Sequence, residues 1–222
     1  MPEVQFFSGT ISSRYLRGLA LAGLLAAALP VAAVKPQPKA APVAPPAAVA
    51  LPKGNAELGA VKSESERCQE CHGVTGHGLE NSKGSEGRFP KLAGQSADYI
   101  LKQFRNFRSG ARIHDVMNMM ARSVEDADAI DIAAYFSSQK PMTGDGSGDS
   151  AVARELFLKG DPARNVLACA GCHGPAGKGI AGDAGGPVIG GQEWRYLEKQ
   201  LLEWRSGERK NSPGGVMNQV MR

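Results

Sequence analysis

One five-residue pattern occurs twice in this chain and constrains its fold more than any other feature. It reads Cys68-Gln69-Glu70-Cys71-His72 and again Cys169-Ala170-Gly171-Cys172-His173, which together contain all four cysteines and two of the four histidines. The pattern C-x-x-C-H is the attachment signature of c-type haem. Residues three apart lie on one face of a helical turn, so each cysteine pair can bond the two vinyl groups of one porphyrin. The histidine that follows then serves as the proximal iron ligand.

Three other uses of paired cysteines fit this pattern less well. A zinc site explains neither the separation of 101 residues between the pairs nor the histidine after each pair. A thioredoxin-like motif requires a βαβ context, and no strand pattern surrounds either copy. Disulfide frameworks are typical of short, cysteine-dense chains. The sequence therefore predicts two covalently bound haem c groups, with zinc as the main alternative. The predicted attachment residues are Cys68, Cys71, Cys169 and Cys172, and the proximal iron ligands are His72 and His173.

Residues 1–34 have the pattern of an export signal. Arg14 and Arg17 precede an apolar run over residues 18–34 that ends in small residues. This run is at the lower limit for a membrane-spanning helix, so an uncleaved membrane anchor through residues 14–34 is the alternative. Residues 35–52 are mainly Pro and Ala and predict an extended linker. Export agrees with cysteine-linked haem, which belongs outside the reducing cytosol, and predicts a periplasmic protein, either free or anchored.

The charge of the chain gives no sign of a nucleic-acid-binding surface. The formal net charge is +4, but residues 1–52 contain four of the 26 basic residues and one of the 22 acidic residues. The remaining chain is therefore close to neutral, without the basic excess that nucleic acid requires.

The second half of the chain repeats the first. The hexapeptide Pro90-Lys91-Leu92-Ala93-Gly94-Gln95 returns as Pro187-Val188-Ile189-Gly190-Gly191-Gln192. Apolar residues spaced i, i+4, i+7 then predict a helix with one buried stripe in each copy. These stripes are Ile100, Phe104 and Phe107 in the first copy and Leu197, Leu201 and Trp204 in the second. Gly110 and Gly207 are expected to end the two helices.

This duplication predicts an all-α protein with two haem domains. The first repeat covers residues 53–140 and the second repeat covers residues 150–222. Residues 141–149 are rich in Gly, Asp and Ser and predict a flexible linker between the two domains.

A methionine is the expected sixth iron ligand in each repeat. Alignment of the copies places Met117-Asn118 over Met217-Asn218, and these methionines follow their haem-motif histidines by 45 and 44 residues. A Met thioether closes the iron and raises its potential. Each of the other candidates aligns with a different residue type in the other copy. We expect Met119, Met120 and Met221 to fill gaps in the core, and His77 and His114 to be surface residues rather than ligands.

Pro90 and Pro187 occupy equivalent positions before the Gly-Gln turns. A proline supplies a carbonyl oxygen but no N–H. We expect each carbonyl to accept a hydrogen bond from the second nitrogen of the proximal imidazole, which fixes the orientation of the ring.

With these residues together, the chain resembles the tandem dihaem class I cytochromes c, and most closely cytochrome c4. The resemblance covers about residues 55–222 and rests on residues 68–73, 89–95, 99–110, 117 and 131–136, with a second copy over residues 169–217. It implies an all-helical fold for each domain and low-spin haems with His and Met ligands. It also implies two haem domains packed face to face that exchange electrons.

The end of the chain departs from this family pattern. The first repeat continues past its methionine into Ser123-Val124-Glu125-Asp126, a predicted Ser-capped helix start, with the helix ending near Ser138. The second repeat reaches residue 222 without a counterpart. In class I cytochromes the last helix packs on the first, here residues 150–159. We therefore expect the second domain to lack a packing partner within this sequence.

The leading functional prediction is an electron carrier, not an enzyme. It implies a place in a respiratory chain, with a membrane reductase or dehydrogenase and a terminal oxidase as partners. One alternative is a haem-bearing subunit of a membrane dehydrogenase or oxidase. Another is a dihaem peroxidase-type enzyme, which would need one open iron and acid–base residues above it.

Overall fold

Helices form the regular secondary structure of the computed structural model, which describes residues 53–79, 89–144, 146, 150–181 and 185–222. In these ranges the only strand-like contact is one isolated bridge between Asp161 and Val166. The described α-helices are α1 (Ala56–Ser65), α2 (Gln69–His72), α3 (Ala97–Ser109), α4 (Asp115–Ser123), α5 (Asp126–Ser138), α6 (Ala151–Lys159), α7 (Ala170–His173), α8 (Trp194–Ser206) and α9 (Val216–Val220). Short 3₁₀ turns at Pro162–Arg164 and Pro213–Gly215 precede α7 and α9. The predicted all-α class is confirmed.

The predicted export signal and Pro/Ala linker, residues 1–52, lie outside the described residues. Across the described ranges, every helix is too short or too polar to cross a membrane. The chain divides into Met1–Ala47 and Ala48–Arg222, and all described residues belong to the second unit.

The helices α3 and α8 confirm the repeat read from the sequence. Both contain 13 residues, and both end at a glycine with a positive φ, +80° at Gly110 and +79° at Gly207. Glycine adopts this left-handed conformation without a Cβ penalty, which is why it ends helices so often. Both predicted helix ends are therefore correct.

The buried stripe differs between the two repeats. In α3 the three predicted residues are buried and pack in one core with Ile132 and Phe136 of α5. In α8 Trp204 is buried, but Leu201 is 42 % exposed. In the described part of the second repeat, no helix occupies the position that α5 has in the first. The predicted α8 stripe is thus only partly buried.

The helices α1 and α5 lie in close backbone contact at Gly59. A Cβ atom at this position would overlap the carbonyl oxygen of Asp131. Polar contacts hold the pair in register: the Asn55 N–H donates to Asp131 Oδ1 at 2.7 Å, and Lys62 Nζ donates to Asp128 Oδ2 at 2.9 Å. Glycine is thus required where the two helices cross.

We expect Gly59→Ala to lower the free energy of unfolding by about 1–3 kcal/mol, because an added methyl group forces α1 away from α5. Denaturant titration of the haem-loaded protein measures this change. Gly171→Ala in α7 is the matched control, since a Cβ there meets no atom within 4 Å and the equivalent first-repeat residue is Glu70. Equal costs for the two variants would contradict the close-contact explanation.

The start of α5 corrects one sequence prediction. Ser123 does not cap this helix; it ends α4, and its hydroxyl donates to the Met120 carbonyl at 3.0 Å. The residue that caps α5 is Glu125, which makes no side-chain cap bond. Asp126 instead joins α5 to α3 by accepting from Arg105 at 2.7 Å and Arg108 at 2.8 Å. These two guanidinium groups hold the pKa of the Asp126 carboxyl below its usual value.

The first residues of the predicted flexible linker are packed against the protein. Met142 is buried, and its N–H donates to the Ala93 carbonyl at 3.1 Å. Lys91 Nζ donates to the Thr143 carbonyl at 2.8 Å. Residues 145 and 147–149 lie outside the described ranges. The linker therefore leaves the first repeat along a defined path.

Candidate haem sites

Each C-x-x-C-H motif folds as a single helical turn. Cys68 and Cys169 are the residues just before α2 and α7, and both have right-handed helical backbone angles. The motif histidines, His72 and His173, end these turns and are buried. Both cysteines of a motif therefore lie on one helical turn, with the histidine directly after them.

The imidazoles of both motif histidines are oriented by a proline carbonyl. The distance from His72 Nδ1 to the Pro90 oxygen is 2.8 Å, and that from His173 Nδ1 to the Pro187 oxygen is also 2.8 Å. A carbonyl oxygen can only accept, so Nδ1 must carry the proton in both rings. The lone pair of Nε2 is then free to bind iron. Burial also lowers the pKa of His72, which favours the neutral ring that a metal needs.

A cavity of about 310 Å³ adjoins the first motif. Its walls include the haem-motif residues Cys68, Cys71 and His72, and also Met117. The exposed lining surface is largely apolar and includes Ile100, Phe104, Phe107, Ile132 and Phe136, while polar side chains of both repeats also line the cavity. An apolar cleft with two thiols and an imidazole on its wall suits a porphyrin ring attached through thioethers. The residues present in the first repeat therefore fit haem c.

The chemistry of the cysteines agrees with this fit. All four are free of disulfides. Burial raises the pKa of the Cys68 thiol to about 11 and also raises the pKa values of Cys71 and Cys169. Thiolates are the form that binds zinc, and these environments disfavour them. Across the described ranges, no group of three or more His, Cys, Asp or Glu side chains is arranged to hold a metal ion.

The two predicted methionine ligands lie at equivalent places on α4 and α9. Met117 is partly buried, packs against the core and lines the cavity. Met217 is also partly buried, and its N–H donates to Ser212 Oγ at 3.1 Å. Met120 also lines the cavity. The expectation that Met119 fills the core is wrong: this side chain is 63 % exposed because it lies on the outer face of α4.

His114 is not the surface residue that the sequence suggested. It lines the cavity, and its ring packs edge-on to Phe107 with 6.4 Å between centroids. Its Nδ1 accepts from the Met117 N–H at 3.4 Å, so it caps α4. Burial lowers the pKa of His114, and nearby Lys199 and Arg112 lower it further. His77, by contrast, contacts Thr75 on an exposed turn at 3.1 Å.

Sequence reasoning missed the asparagine that follows each candidate methionine. Asn118 Nδ2 donates to the carbonyls of Phe107 at 2.5 Å and Arg112 at 2.9 Å. Asn218 Nδ2 makes the same two bonds, to Trp204 at 2.7 Å and Arg209 at 2.8 Å. Each amide thereby fixes the methionine-bearing helix to the end of α3 or α8. The repeated Met-Asn pair was the available signal.

Two glutamines join the repeats. The Gln192 side chain accepts from the Lys91 N–H at 2.8 Å and donates to the Lys91 carbonyl at 2.9 Å. The Gln95 side chain makes the equivalent pair of bonds to Val188, at 3.0 and 2.8 Å. Gln95 and Gln192 are equivalent positions of the repeat, as are Lys91 and Val188. This part of the interface is therefore related by an approximate two-fold axis.

Two buried arginines continue this symmetry between α3 and α8. The guanidinium groups of Arg112 and Arg209 both donate to Gln103 Oε1 and to Gln200 Oε1, over 2.6–3.2 Å. Each arginine also stacks on an aromatic ring of its own repeat, at 4.6 Å over Phe107 and 4.4 Å over Trp204. These side chains are buried, so the two repeats share one buried polar cluster. It lies at the rim of the cavity beside the first haem motif.

Comparison with known proteins places the chain among dihaem cytochromes. The model of the cytochrome c family matches residues 154–222. Cytochrome c4 of Pseudomonas aeruginosa is 42 % identical over 159 residues, 71 % of this chain and 75 % of that protein. The thiosulfate dehydrogenase electron acceptor of Stutzerimonas stutzeri is 36 % identical, over 70 % of both proteins.

Solved structures agree with the sequence relatives. The crystal structure of reduced recombinant cytochrome c4 from Pseudomonas stutzeri superposes with a TM-score of 0.65 at 38 % identity, and the match covers 76 % of this chain and 90 % of that one. Thiosulfate dehydrogenase from Marichromatium purpuratum gives a TM-score of 0.64 at 32 % identity, over 74 % of this chain and 36 % of that one.

Proposed function

This chain belongs to the cytochrome c4 family of dihaem electron-transfer cytochromes, and we propose that it carries electrons between separate redox proteins and is not itself an enzyme. It binds two covalently attached haem c groups and has the tandem class I cytochrome c fold. In this proposal residues 53–140 and 150–222 are the two haem domains, and residues 141–149 link them.

The observation that carries this proposal is that both motif histidines make the same hydrogen bond to a proline carbonyl. Each haem, when bound, supplies a one-electron Fe(III)/Fe(II) couple. His72 and His173 would hold the iron through Nε2, because their Nδ1 protons are held by Pro90 and Pro187. Met117 and Met217 are the proposed sixth ligands, which would close both irons to substrates. Two equally closed sites suit a carrier, whereas a peroxidase-type enzyme needs one open site.

Electron exchange with a dehydrogenase is the second functional candidate. Two relatives are named thiosulfate dehydrogenase electron acceptors, and one structural neighbour is a thiosulfate dehydrogenase. This chain would then accept electrons from a dehydrogenase as a partner or as its haem-bearing subunit. The proposed partners are membrane reductases or dehydrogenases as donors and terminal oxidases as acceptors.

The proposed location is the periplasm, because residues 1–34 have the pattern of an export signal and cysteine-linked haem belongs outside the reducing cytosol. Membrane attachment through residues 14–34 is a further proposal. The intact mass of the purified protein tests it, because the mass shows whether these residues are retained.

Denaturing mass spectrometry of the protein, expressed in a host that attaches haem c, tests the cofactor assignment. We expect added mass for two haems that survives denaturation, because thioether bonds are covalent. Optical spectra of the ferric protein then test the carrier proposal. We expect two low-spin haems that do not change when hydrogen peroxide is added. A high-spin ferric haem that binds peroxide would favour the enzyme alternative instead.

A further inference from the structure

We propose that each repeat tunes the redox potential of the haem in the other repeat. At each site, one peptide unit transmits the effect, because it is hydrogen-bonded to the motif histidine of one repeat and to a glutamine of the other. Gln192 of the second repeat acts on the His72 site, and Gln95 of the first repeat acts on the His173 site. This inference rests on the proposed role of the two histidines as iron ligands. It makes the two glutamines positioning residues, since neither is expected to touch iron.

The geometry at the first site consists of three groups in series. His72 Nδ1–H donates to the Pro90 carbonyl at 2.8 Å. The N–H of the same peptide unit belongs to Lys91 and donates to Gln192 Oε1 at 2.8 Å. The peptide between Pro90 and Lys91 therefore accepts from the imidazole of one repeat and donates to the amide oxygen of the other.

The second site has the same three groups in series, with the roles of the two repeats exchanged. His173 Nδ1–H donates to the Pro187 carbonyl at 2.8 Å, and the N–H of the same peptide, from Val188, donates to Gln95 Oε1 at 3.0 Å. Each proximal histidine is thus two hydrogen bonds and one peptide away from a glutamine of the other repeat. The crossing is a property of the interface, since each glutamine contacts a residue 93 or 101 positions away in sequence.

The glutamines are held firmly enough to fix these bonds. Each also donates its Nε2–H to a carbonyl of the opposite repeat, Gln192 to Lys91 at 2.9 Å and Gln95 to Val188 at 2.8 Å. Each Oε1 further accepts the N–H that follows it in the chain, from Glu193 at 2.9 Å or from Ser96 at 3.0 Å. Gln95 is only 5 % exposed.

The sign of the effect follows from hydrogen-bond cooperativity. A peptide whose N–H donates to an acceptor carries more negative charge on its carbonyl oxygen, so that oxygen accepts more strongly. The imidazole Nδ1–H is then more polarised, which raises the basicity of the ring as a metal ligand. A more basic ligand stabilises ferric over ferrous iron. Each glutamine therefore lowers the potential of the haem in the opposite repeat.

The test compares Gln192→Leu and Gln95→Leu in the full haem-loaded chain. Spectroelectrochemical titration gives the two midpoint potentials, and nuclear magnetic resonance assigns each potential to its haem. We expect Gln192→Leu to raise the potential of the first-repeat haem, and Gln95→Leu that of the second-repeat haem. The ferrous-to-ferric ratio at fixed applied potential should rise about two- to threefold at the crossed site, since neighbouring hydrogen bonds strengthen one another by roughly 10–30 % each.

A second measurement separates tuning from a loosened interface. In the ferrous protein, the Nδ1–H proton resonance of His72 should move upfield in Gln192→Leu, while that of His173 stays in place. Gln192→Glu keeps an oxygen acceptor for the Lys91 N–H but loses the Nε2–H that donates to the Lys91 carbonyl, and it should move the His72 resonance back towards its original position. Asn211→Ala serves as the interface control, because it removes the inter-repeat bond from Asn211 Nδ2 to Gln103 Oε1 without touching either peptide unit. We expect this control variant to leave both haem potentials and the His72 Nδ1–H resonance unchanged.

The outcomes distinguish this inference from the proposed function. A protein that lacks either haem, or lacks histidine ligation, overturns the proposed function. Cross-tuning would be overturned if both haems are normal and only the potential of the haem in the mutated repeat moves. It would also be overturned if the two potentials move together or stay unchanged. The carrier function would remain intact in each of these cases. If Gln192→Leu fails to fold, Gln95→Leu and Gln192→Glu still test the crossed pattern.

Discussion

Replacing Met117 with alanine is expected to convert one of the two haems from low-spin to high-spin and to leave the other unchanged. Met117 lines the cavity beside His72, and its backbone N–H is fixed by the His114 cap. Loss of the thioether would leave the first iron five-coordinate and open to small ligands. The potential of that haem should fall, because a Met ligand stabilises the ferrous state. Ferric absorption spectra and redox titration measure both changes.

Met120→Ala is the matched control for this substitution, since Met120 lines the same cavity three residues later on α4. We expect it to keep both haems low-spin. In the second repeat, Met217→Ala should mirror Met117→Ala, with Met221→Ala as its control. Should Met120→Ala and not Met117→Ala give the high-spin haem, the assignment from the repeat alignment would be wrong.

Replacing Phe136 with alanine is expected to lower the free energy of unfolding by about 3–5 kcal/mol, the usual cost of emptying a fully buried aromatic position. Phe136 is 0 % exposed, lies in the core shared by α3 and α5, and forms part of the cavity wall. The substitution removes packing and leaves a void beside the haem position. Denaturant unfolding of the haem-loaded protein, followed by far-ultraviolet circular dichroism, gives the change.

The control for Phe136→Ala is Leu202→Ala on α8, a side chain that is 57 % exposed. Surface truncations of this kind change stability by about 0.5 kcal/mol or less. A similar loss in both variants would mean that the packing between α3 and α5 does not dominate the stability of the chain.

The sequence was most informative where function depends on short-range pattern. The C-x-x-C-H motif specifies a helical turn, and Gly110 and Gly207 end α3 and α8 because a positive φ is a property of one residue. The hydrogen bonds of Pro90 with His72 and of Pro187 with His173 could also be predicted from the repeat. Equivalent prolines that accompany equivalent histidines suggest that both prolines orient the imidazole in the same way. The iron ligation by Met117 and Met217 stays a prediction.

Features that depend on distant parts of the chain were not predictable in the same way. Gln95 and Gln192 were recognised as equivalent, but equivalence does not reveal that each one contacts the opposite repeat. The second copy has no histidine at the position equivalent to His114. The alignment therefore gave no sign that His114 caps α4 and lines the cavity. Ser123 had the residue type of a cap, yet α4 extends through it and leaves only two residues before α5.

The approximate two-fold symmetry between the repeats has a consequence for how the chain assembles. A self-complementary contact is the kind found in symmetric dimers of separate chains. Here the two halves share one polypeptide, so their association is intramolecular and occurs at an effective concentration that can reach the millimolar range for a short linker. The arrangement of the two haems is therefore independent of how dilute the protein is. A symmetric pair of separate haem proteins would instead come apart on dilution.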